Sequence, residues 1–416
     1  MRFVIKGPNR LQGAIKVSGA KNAALPILAA TLLCDGVSVI EGVPRLNDVD
    51  VMCEVMKPLG VECRWQNENI LVDTTKIRLE EISEKLMRRM RASCLVLGPL
   101  LARFGHVKIS QPGGCNIGSR PIDLHLKGLR ALGAEITERS GYLIAKSNRL
   151  KGAEIHLDVP SVGATENLIM AAVFAEGTTV IRNAAKEPEI VDLQNFLNRA
   201  GGRIRGAGTP TIRIDEVKSL VGPKGHRVIS DRIEAGTHII AAALSGGDVV
   251  VQNVIPEHVE PLLAKLREAG VGIELHGDTV RIWREGGIKA VDIRTMPYPG
   301  FPTDLQAQMC VLLAVAEGTS VVTETVFENR FKHIPELRRM GVDIYIEGRT
   351  VVIRGVEKLS GAHVEAPDLR AGAALVLAGL IAENSTVVDN IEHIDRGYEA
   401  LEEKYQTLGA SIERVS

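Results

Sequence analysis

The residues best suited to chemistry stand in the segment Gln111-Pro-Gly-Gly-Cys115-Asn-Ile-Gly-Ser-Arg120-Pro121-Ile122-Asp123-Leu124-His125. Two glycines before Cys115 and one after it allow a loop that folds over a ligand, and Arg120 can hold a thiolate or an anion beside it. Most cysteines are small buried hydrophobes, which suits Cys34, Cys94 and Cys310 inside apolar helical stretches. A cysteine in a polar glycine loop fits that description poorly, so Cys115 is the candidate reactive thiol.

Lys21, in Ser18-Gly-Ala-Lys21-Asn22, opens an apolar helical stretch. The helix dipole does not favour a cation there, so an anionic ligand would account for it; the competing account is a solvated lysine at a helix end. Arg91, Arg330 in Glu328-Asn-Arg330 and Arg396 in Asp395-Arg396-Gly397 are further cations that the local pattern does not explain. Asp304 in Phe301-Pro-Thr-Asp304 and Asp368 in Ala366-Pro-Asp368 read first as helix caps, each worth about 0.5–2 kcal/mol. A carboxylate among arginines can also take a proton from a substrate hydroxyl.

Those residues must be positioned by a repeat. Leu59-Gly60, Leu132-Gly133, Ala200-Gly201, Ala269-Gly270, Met340-Gly341 and Leu408-Gly409 recur 68 to 73 residues apart, each closing a segment of helical period and preceding a strand. A second marker, seen at Gly36, Gly177, Gly247, Gly318 and Asn384, ends an apolar helix before a β-branched run. The second repeat departs, with Phe104-Gly105-His106 at that place. The predicted unit is strand, apolar helix, turn, strand, amphipathic helix, turn, strand. Stretches such as 23–33, 309–316 and 373–382 are apolar on nearly every face and predict helices enclosed by sheets, three repeats to a domain. Units of one orientation would start their buried helices at one end, at Lys21-Asn22, Thr165-Glu166, Gly236-Thr237, Thr303-Asp304 and Asp368-Leu-Arg370, where dipoles would attract anions. A cleft between domains lined by them is the expected site.

The composition narrows the function. With 416 residues, 45% hydrophobic, two domains are expected. A net charge of −1 and 3% aromatics speak against nucleic acid or an anionic membrane surface as partner. Six cysteines without a Cys-x-x-Cys pair suggest neither disulfides nor a zinc site, and no apolar run approaches a membrane span; a reduced, cytoplasmic protein is expected.

Taken together, Ser18-Gly-Ala-Lys21-Asn22-Ala-Ala-Leu-Pro, Pro112-Gly-Gly-Cys115-Asn-Ile-Gly-Ser-Arg120-Pro, Ser161-Val-Gly-Ala-Thr165, Pro302-Thr-Asp304-Leu-Gln and Asp368-Leu-Arg370-Ala-Gly resemble the enolpyruvyl transferases, in particular those that act on UDP-N-acetylglucosamine at the start of peptidoglycan synthesis. The resemblance spans the whole chain. It implies an α/β fold of two inside-out barrels built from six units, three per domain: a discontinuous domain of residues 1–20 plus 230–416, and an inserted domain of 21–229 that carries the Cys115 loop.

It further implies transfer of the enolpyruvyl group of phosphoenolpyruvate to the sugar 3-hydroxyl, with release of phosphate and with neither metal nor organic cofactor. Lys21, Asn22, Arg120 and Arg396 would hold the phosphate and carboxylate of phosphoenolpyruvate, with Arg91 and Arg330 supporting the closed state. Cys115 would donate a proton to the methylene, form a covalent adduct with that substrate and be alkylated by fosfomycin. Asp304 would accept the hydroxyl proton. Arg120, Pro121, Ile122, Asp123, Leu124, Pro160, Ser161, Val162, Gly163 and Val326 would meet the UDP-sugar, and Asp368 and Arg370 would organise the cleft. One departure is Val159-Pro160, where many members have Lys-Val, so a lysine near the nucleotide is absent. Two other readings remain open at this point. A sister enzyme acting on shikimate 3-phosphate should lack the Cys115 loop, and a non-catalytic UDP-sugar sensor has no need to retain Lys21, Cys115, Asp304 and Arg396 together.

Overall fold

The computed structural model describes residues 1–110 and 122–416. Its organising elements are six helices, α1 (Lys21–Ala30), α2 (Leu97–Phe104), α3 (Val162–Ala172), α4 (Arg232–Ser245), α5 (Gln306–Ala314) and α6 (Leu369–Ile381). Alanine and leucine dominate them, which favours helix and leaves little bulk to keep neighbouring backbones apart. With no polar face to offer water, they are enclosed: every residue of α5 is buried, as is all of α1 except Asn22. Helices α4, α5 and α6 pack against one another, and α2 packs on α3.

Helices α3 and α5 each join two parallel strands, and an antiparallel hairpin then completes the sheet. In the third repeat, Glu154–His156 runs parallel to Thr178–Arg182, which pairs antiparallel with Thr211–Asp215, which in turn pairs with Arg203–Arg205. Alternate residues of these strands point onto the helices, so apolar and polar positions alternate along them. The sixth repeat takes its third strand from the start of the chain: His363–Glu365 and Asn384–Asp389 are followed in the sheet by Arg2–Gly7 and then Ser411–Val415. Likewise His226–Arg227 lies parallel to Val37–Glu41 and completes the first repeat.

The sequence predicts one strand after each amphipathic helix, and in the first five repeats the structure has two. The hairpins turn within two or three residues at Asn67, Ser140-Gly141, Gly277 and Gly348, all of positive φ, too tight to interrupt the β pattern visibly. The six repeat glycines after the amphipathic segments all adopt left-handed φ, between 79° and 109°. At Gly133, Gly341 and Gly409 an added Cβ would meet nothing within 4 Å, so conformation rather than crowding selects glycine. The second repeat's departure is one of sequence only: α2 ends at Phe104, Gly105 has φ 67°, and the strand His106–Ser110 follows.

Chain packing divides the described residues into two compact units, 1–18 with 230–416 and 19–110 with 122–229. The first holds α4, α5 and α6 around one hydrophobic core; the second, the inserted unit, holds α1, α2 and α3 around another. Two expected helix starts are corrected. Thr165-Glu166 and Gly236-Thr237 lie one turn inside α3 and α4, because Ser161 and Asp231 cap those helices from further upstream.

Candidate active site

In the 230–416 unit a short 3-10 turn, Thr303–Leu305, places Asp304 ahead of α5. Its carboxylate does not cap that helix. Oδ1 lies 2.6 Å from Arg330 Nη2, while Oδ2 lies 3.0 Å from Arg370 Nη2 and 3.2 Å from its Nε. Charge-assisted contacts of this kind fix a carboxylate's orientation. Exposure separates the roles within the cluster: the Asp304 side chain is 25% exposed, those of Arg330 and Arg370 only 7% and 5%. The acid can meet a ligand, and the arginines behind it are largely enclosed.

Arg370 is built in from several sides. Its guanidinium stands 5.4 Å from the centre of the Tyr398 ring, whose hydroxyl contacts Thr237 Oγ1 at 3.0 Å and Gln308 Nε2 at 3.2 Å. Burial opposes its charge most strongly, but Tyr398, Asp304 and Asp231 outweigh that and raise its pKa above the ordinary guanidinium value. Asp368 is a cap, as one sequence reading has it: Oδ1 accepts from the Arg370 and Ala371 amides at 2.9 and 3.0 Å. Asp231 caps α4 in the same way, accepting from Ile233 and Glu234 at 2.8 and 3.0 Å. Burial pushes the Asp231 carboxyl upward against the pull of Arg370. Arg396 ends the 3-10 segment Ile391–Arg396 that packs on α6, half-buried. Val326 is 37% exposed and hydrogen-bonds through its amide to Glu324 Oε1 at 2.8 Å.

In the inserted unit Lys21 is the first residue of α1 and is buried, with Nζ 3.3 Å from Asp48 Oδ2. The solvated lysine considered from the sequence is therefore excluded. No side-chain hydrogen bond caps α1, and Asn22, half-buried, follows. At α3 the cap is the neutral Ser161, whose Oγ accepts from the Ala164 amide at 3.4 Å; Val162 and Gly163 follow half-buried, and Pro160 is exposed. An anion can therefore approach α1 and α3 without displacing a carboxylate, whereas Asp231 and Asp368 already occupy the starts of α4 and α6. The expectation that all the buried helices offer anion sites is corrected accordingly.

Ile122, Asp123 and Leu124 form the start of the helix Asp123–Ala131. His125, next along, is buried; its Nδ1 lies 3.0 Å from Asn167 Nδ2, an amide donor, which assigns the ring proton to Nε2. Burial, with the Arg91 charge, lowers the His125 pKa to about 4, so the ring is neutral at neutral pH. A Cβ placed on Gly163 would come within 3.4 Å of the His125 ring, so the structure brings Arg91, His125 and Gly163 together. Glu166, inside α3, is pushed well above the usual carboxylate range by burial, Glu189 and Glu187. Cys115, Arg120 and Pro121 lie outside the described residues. Among the described residues no cluster of His, Cys, Asp or Glu could hold a metal ion.

Sequence reasoning missed Asp48, His125, Asn167 and Glu324. Asp48 and Glu324 are acids in unremarkable local contexts, and only the tertiary fold brings them to Lys21 and to the Asp304 cluster. His125 closes the Gln111–His125 segment but was given no role, and its proximity to the predicted UDP-sugar positions was the available signal.

The model of the EPSP synthase (3-phosphoshikimate 1-carboxyvinyltransferase) family matches residues 5–405. The chain belongs to this enolpyruvyl transferase family. Its relatives in the family include UDP-N-acetylglucosamine 1-carboxyvinyltransferase 1 of Carboxydothermus hydrogenoformans, 57% identical over 415 residues, with 100% of this chain and 98% of the relative covered. The protein of that name from Symbiobacterium thermophilum is 58% identical, covering 100% of this chain and 95% of its own. Among solved structures, the enolpyruvyl transferase NikO from Streptomyces tendae superposes with a TM-score of 0.90 at 26% identity, covering 99% of this chain and 98% of that one. An EPSP synthase from Acinetobacter baumannii gives 0.76 at 18% identity with 99% of both chains covered, which speaks to the enolpyruvyl transferase fold alone.

Proposed function

We propose that this enolpyruvyl transferase moves the enolpyruvyl group of phosphoenolpyruvate onto the 3-hydroxyl of UDP-N-acetylglucosamine, releasing phosphate, as the first committed step of peptidoglycan synthesis in the cytoplasm. The observation that carries this reading is identity of 54% to 58% along essentially the whole chain to proteins named for that activity. The sister activity on shikimate 3-phosphate has behind it the broad family model and solved structures at 18% to 19% identity.

The reaction is an addition and elimination. A proton from Cys115 adds to the methylene carbon of phosphoenolpyruvate, and the neighbouring carbon becomes cationic. The sugar oxygen bonds to that carbon as Asp304 takes the hydroxyl proton. The carbon–oxygen bond to phosphate then breaks, and return of a methyl proton to the Cys115 thiolate restores the double bond. Asp304 suits the acceptor role because it is the exposed member of a cluster whose arginines hold it as an oriented carboxylate. Lys21, Asn22, Arg120 and Arg396 are assigned to the phosphate and carboxylate of phosphoenolpyruvate. Fixed cations of this kind need no reorganisation as phosphate departs. The starts of Asp123–Ala131 and α3, with Pro121, Pro160 and Val326, are assigned to the nucleotide sugar. Neither a metal nor an organic cofactor enters this scheme.

Mass spectrometry of the product tests the reading. Incubation of phosphoenolpyruvate and UDP-N-acetylglucosamine with the protein should yield the enolpyruvyl ether of the nucleotide sugar, and recovery of unchanged nucleotide sugar would refute it. The role of Cys115 is tested separately. Fosfomycin should alkylate that residue, Cys115→Ser should be nearly inactive because a serine hydroxyl is too weak an acid, and Cys115→Asp should retain useful activity and escape the drug.

A further inference from the structure

One buried acid of the 230–416 unit without a role in the proposed reaction is Glu324. It follows the strand Thr319–Thr323 and is 1% exposed, yet its carboxylate is fully engaged. Oε1 accepts from Thr295 Oγ1 at 2.8 Å, from the Val326 amide at 2.8 Å and from the Phe327 amide at 3.1 Å. Oε2 accepts from Thr303 Oγ1 at 2.8 Å. The Thr303 hydroxyl, having donated to Glu324, accepts from Arg330 Nη1 at 2.8 Å, and Nη2 of the same guanidinium holds Asp304 Oδ1. Phe327 places its ring 5.1 Å from that guanidinium. One buried carboxylate thus sets the backbone at Val326, the hydroxyl of Thr303 and, through it, the direction of Arg330.

A plain structural anchor for the 324–327 turn would need only Oε1. The second oxygen is spent on a hydroxyl whose other partner grips the proposed base. Each link is directional: a carboxylate only accepts, so Thr303 must donate to it and keeps its lone pairs for Arg330, a donor-only group. We propose that Glu324 is a positioning residue for the transfer reaction, orienting Asp304 through Thr303 and Arg330. This rests on the reading of Asp304 as the acceptor of the sugar hydroxyl proton.

The test is steady-state phosphate release by the full chain and its variants, reported as kcat per folded enzyme and as KM for each substrate. Glu324→Gln should lower kcat about 10- to 100-fold, the scale of one buried hydrogen bond to a charged group, with KM for phosphoenolpyruvate within about twofold of wild type. Thr303→Val, which cuts the link and leaves the three contacts of Glu324 Oε1, should lower kcat to a similar extent. Thr303→Ser, which restores the hydroxyl, should recover most of it. The double variant Glu324→Gln with Thr303→Val should fall little below either single one, since both break one chain. A purely structural Glu324 would instead lower melting temperature while leaving kcat of the folded protein unchanged, and that result overturns the proposal. So does a Thr303→Ser variant as slow as Thr303→Val. Asp304→Asn separates the two levels of the argument: if it is inactive while Glu324→Gln and Thr303→Val turn over normally, only the positioning role fails; if it turns over normally, the base assignment fails with it.

Discussion

The two units use the same repeat but cap their buried helices differently. In the 230–416 unit the starts of α4 and α6 are closed by Asp231 and Asp368, each accepting two backbone amides, and the half-buried Asp304 is gripped by two enclosed arginines. In the inserted unit α1 begins with a buried lysine and no side-chain cap, and α3 begins with a neutral serine. A helix start filled by a carboxylate has already spent its affinity for anions, whereas one left uncapped or capped by a hydroxyl keeps it. One repeated scaffold thus closes two helix starts with carboxylates in one unit and leaves two without them in the other.

The largest expected effect is on Asp304. Asp304→Asn should lower turnover about 100- to 10,000-fold, as loss of a general base does. A simple cap could be replaced by asparagine at little cost in stability, but Asp304 does not cap. It is the shared counter-ion of Arg330 and Arg370, so the variant should also melt earlier, in calorimetry, than wild type. An unchanged melting temperature would break the contrast drawn between the halves.

Lys21 should be needed for both activity and folding. Lys21→Met takes the cation away from a buried carboxylate, and breaking such a pair costs about 3 kcal/mol. Lys21→Met with Asp48→Asn should recover stability in urea unfolding without recovering turnover. Recovery of turnover would remove Lys21 from the reaction.

Acid should weaken both halves by a similar device. Burial lowers His125, in the inserted unit, and His333, in the other, to about 4. Their unfolded value is about 6.5, so the unfolded chain binds more protons between those limits; stability is complete above the upper limit and is lost as pH falls. At pH 5 each should cost about 2 kcal/mol relative to pH 7.5. His125→Asn and His333→Asn should each flatten the pH dependence of urea unfolding by about that amount, and an unaltered slope would deny burial of that ring. The smallest effect is at α3: Ser161→Ala should cost about 1 kcal/mol and raise KM for the nucleotide sugar more than it lowers kcat.

How much was legible follows physical lines. The buried helices were visible because a helix with no polar face has one possible environment, and the repeat glycines because left-handed φ selects that residue. The hairpins were not, since two-residue turns barely interrupt a β pattern. Within the site, Lys21 stood out by conflict with its local context, whereas Asp304 read first as a cap and the role of Arg370 came through the family resemblance. Asp48, Asn167 and Glu324 have no such conflict. Their meaning comes from partners 27, 42 and 21 residues away in sequence, contacts that only tertiary packing specifies.

The central claim is tested most directly by phosphate release from phosphoenolpyruvate with two acceptors offered separately to wild-type protein. Release that depends on UDP-N-acetylglucosamine and is absent with shikimate 3-phosphate is the predicted result. Release with shikimate 3-phosphate alone, or with neither acceptor, would contradict the account.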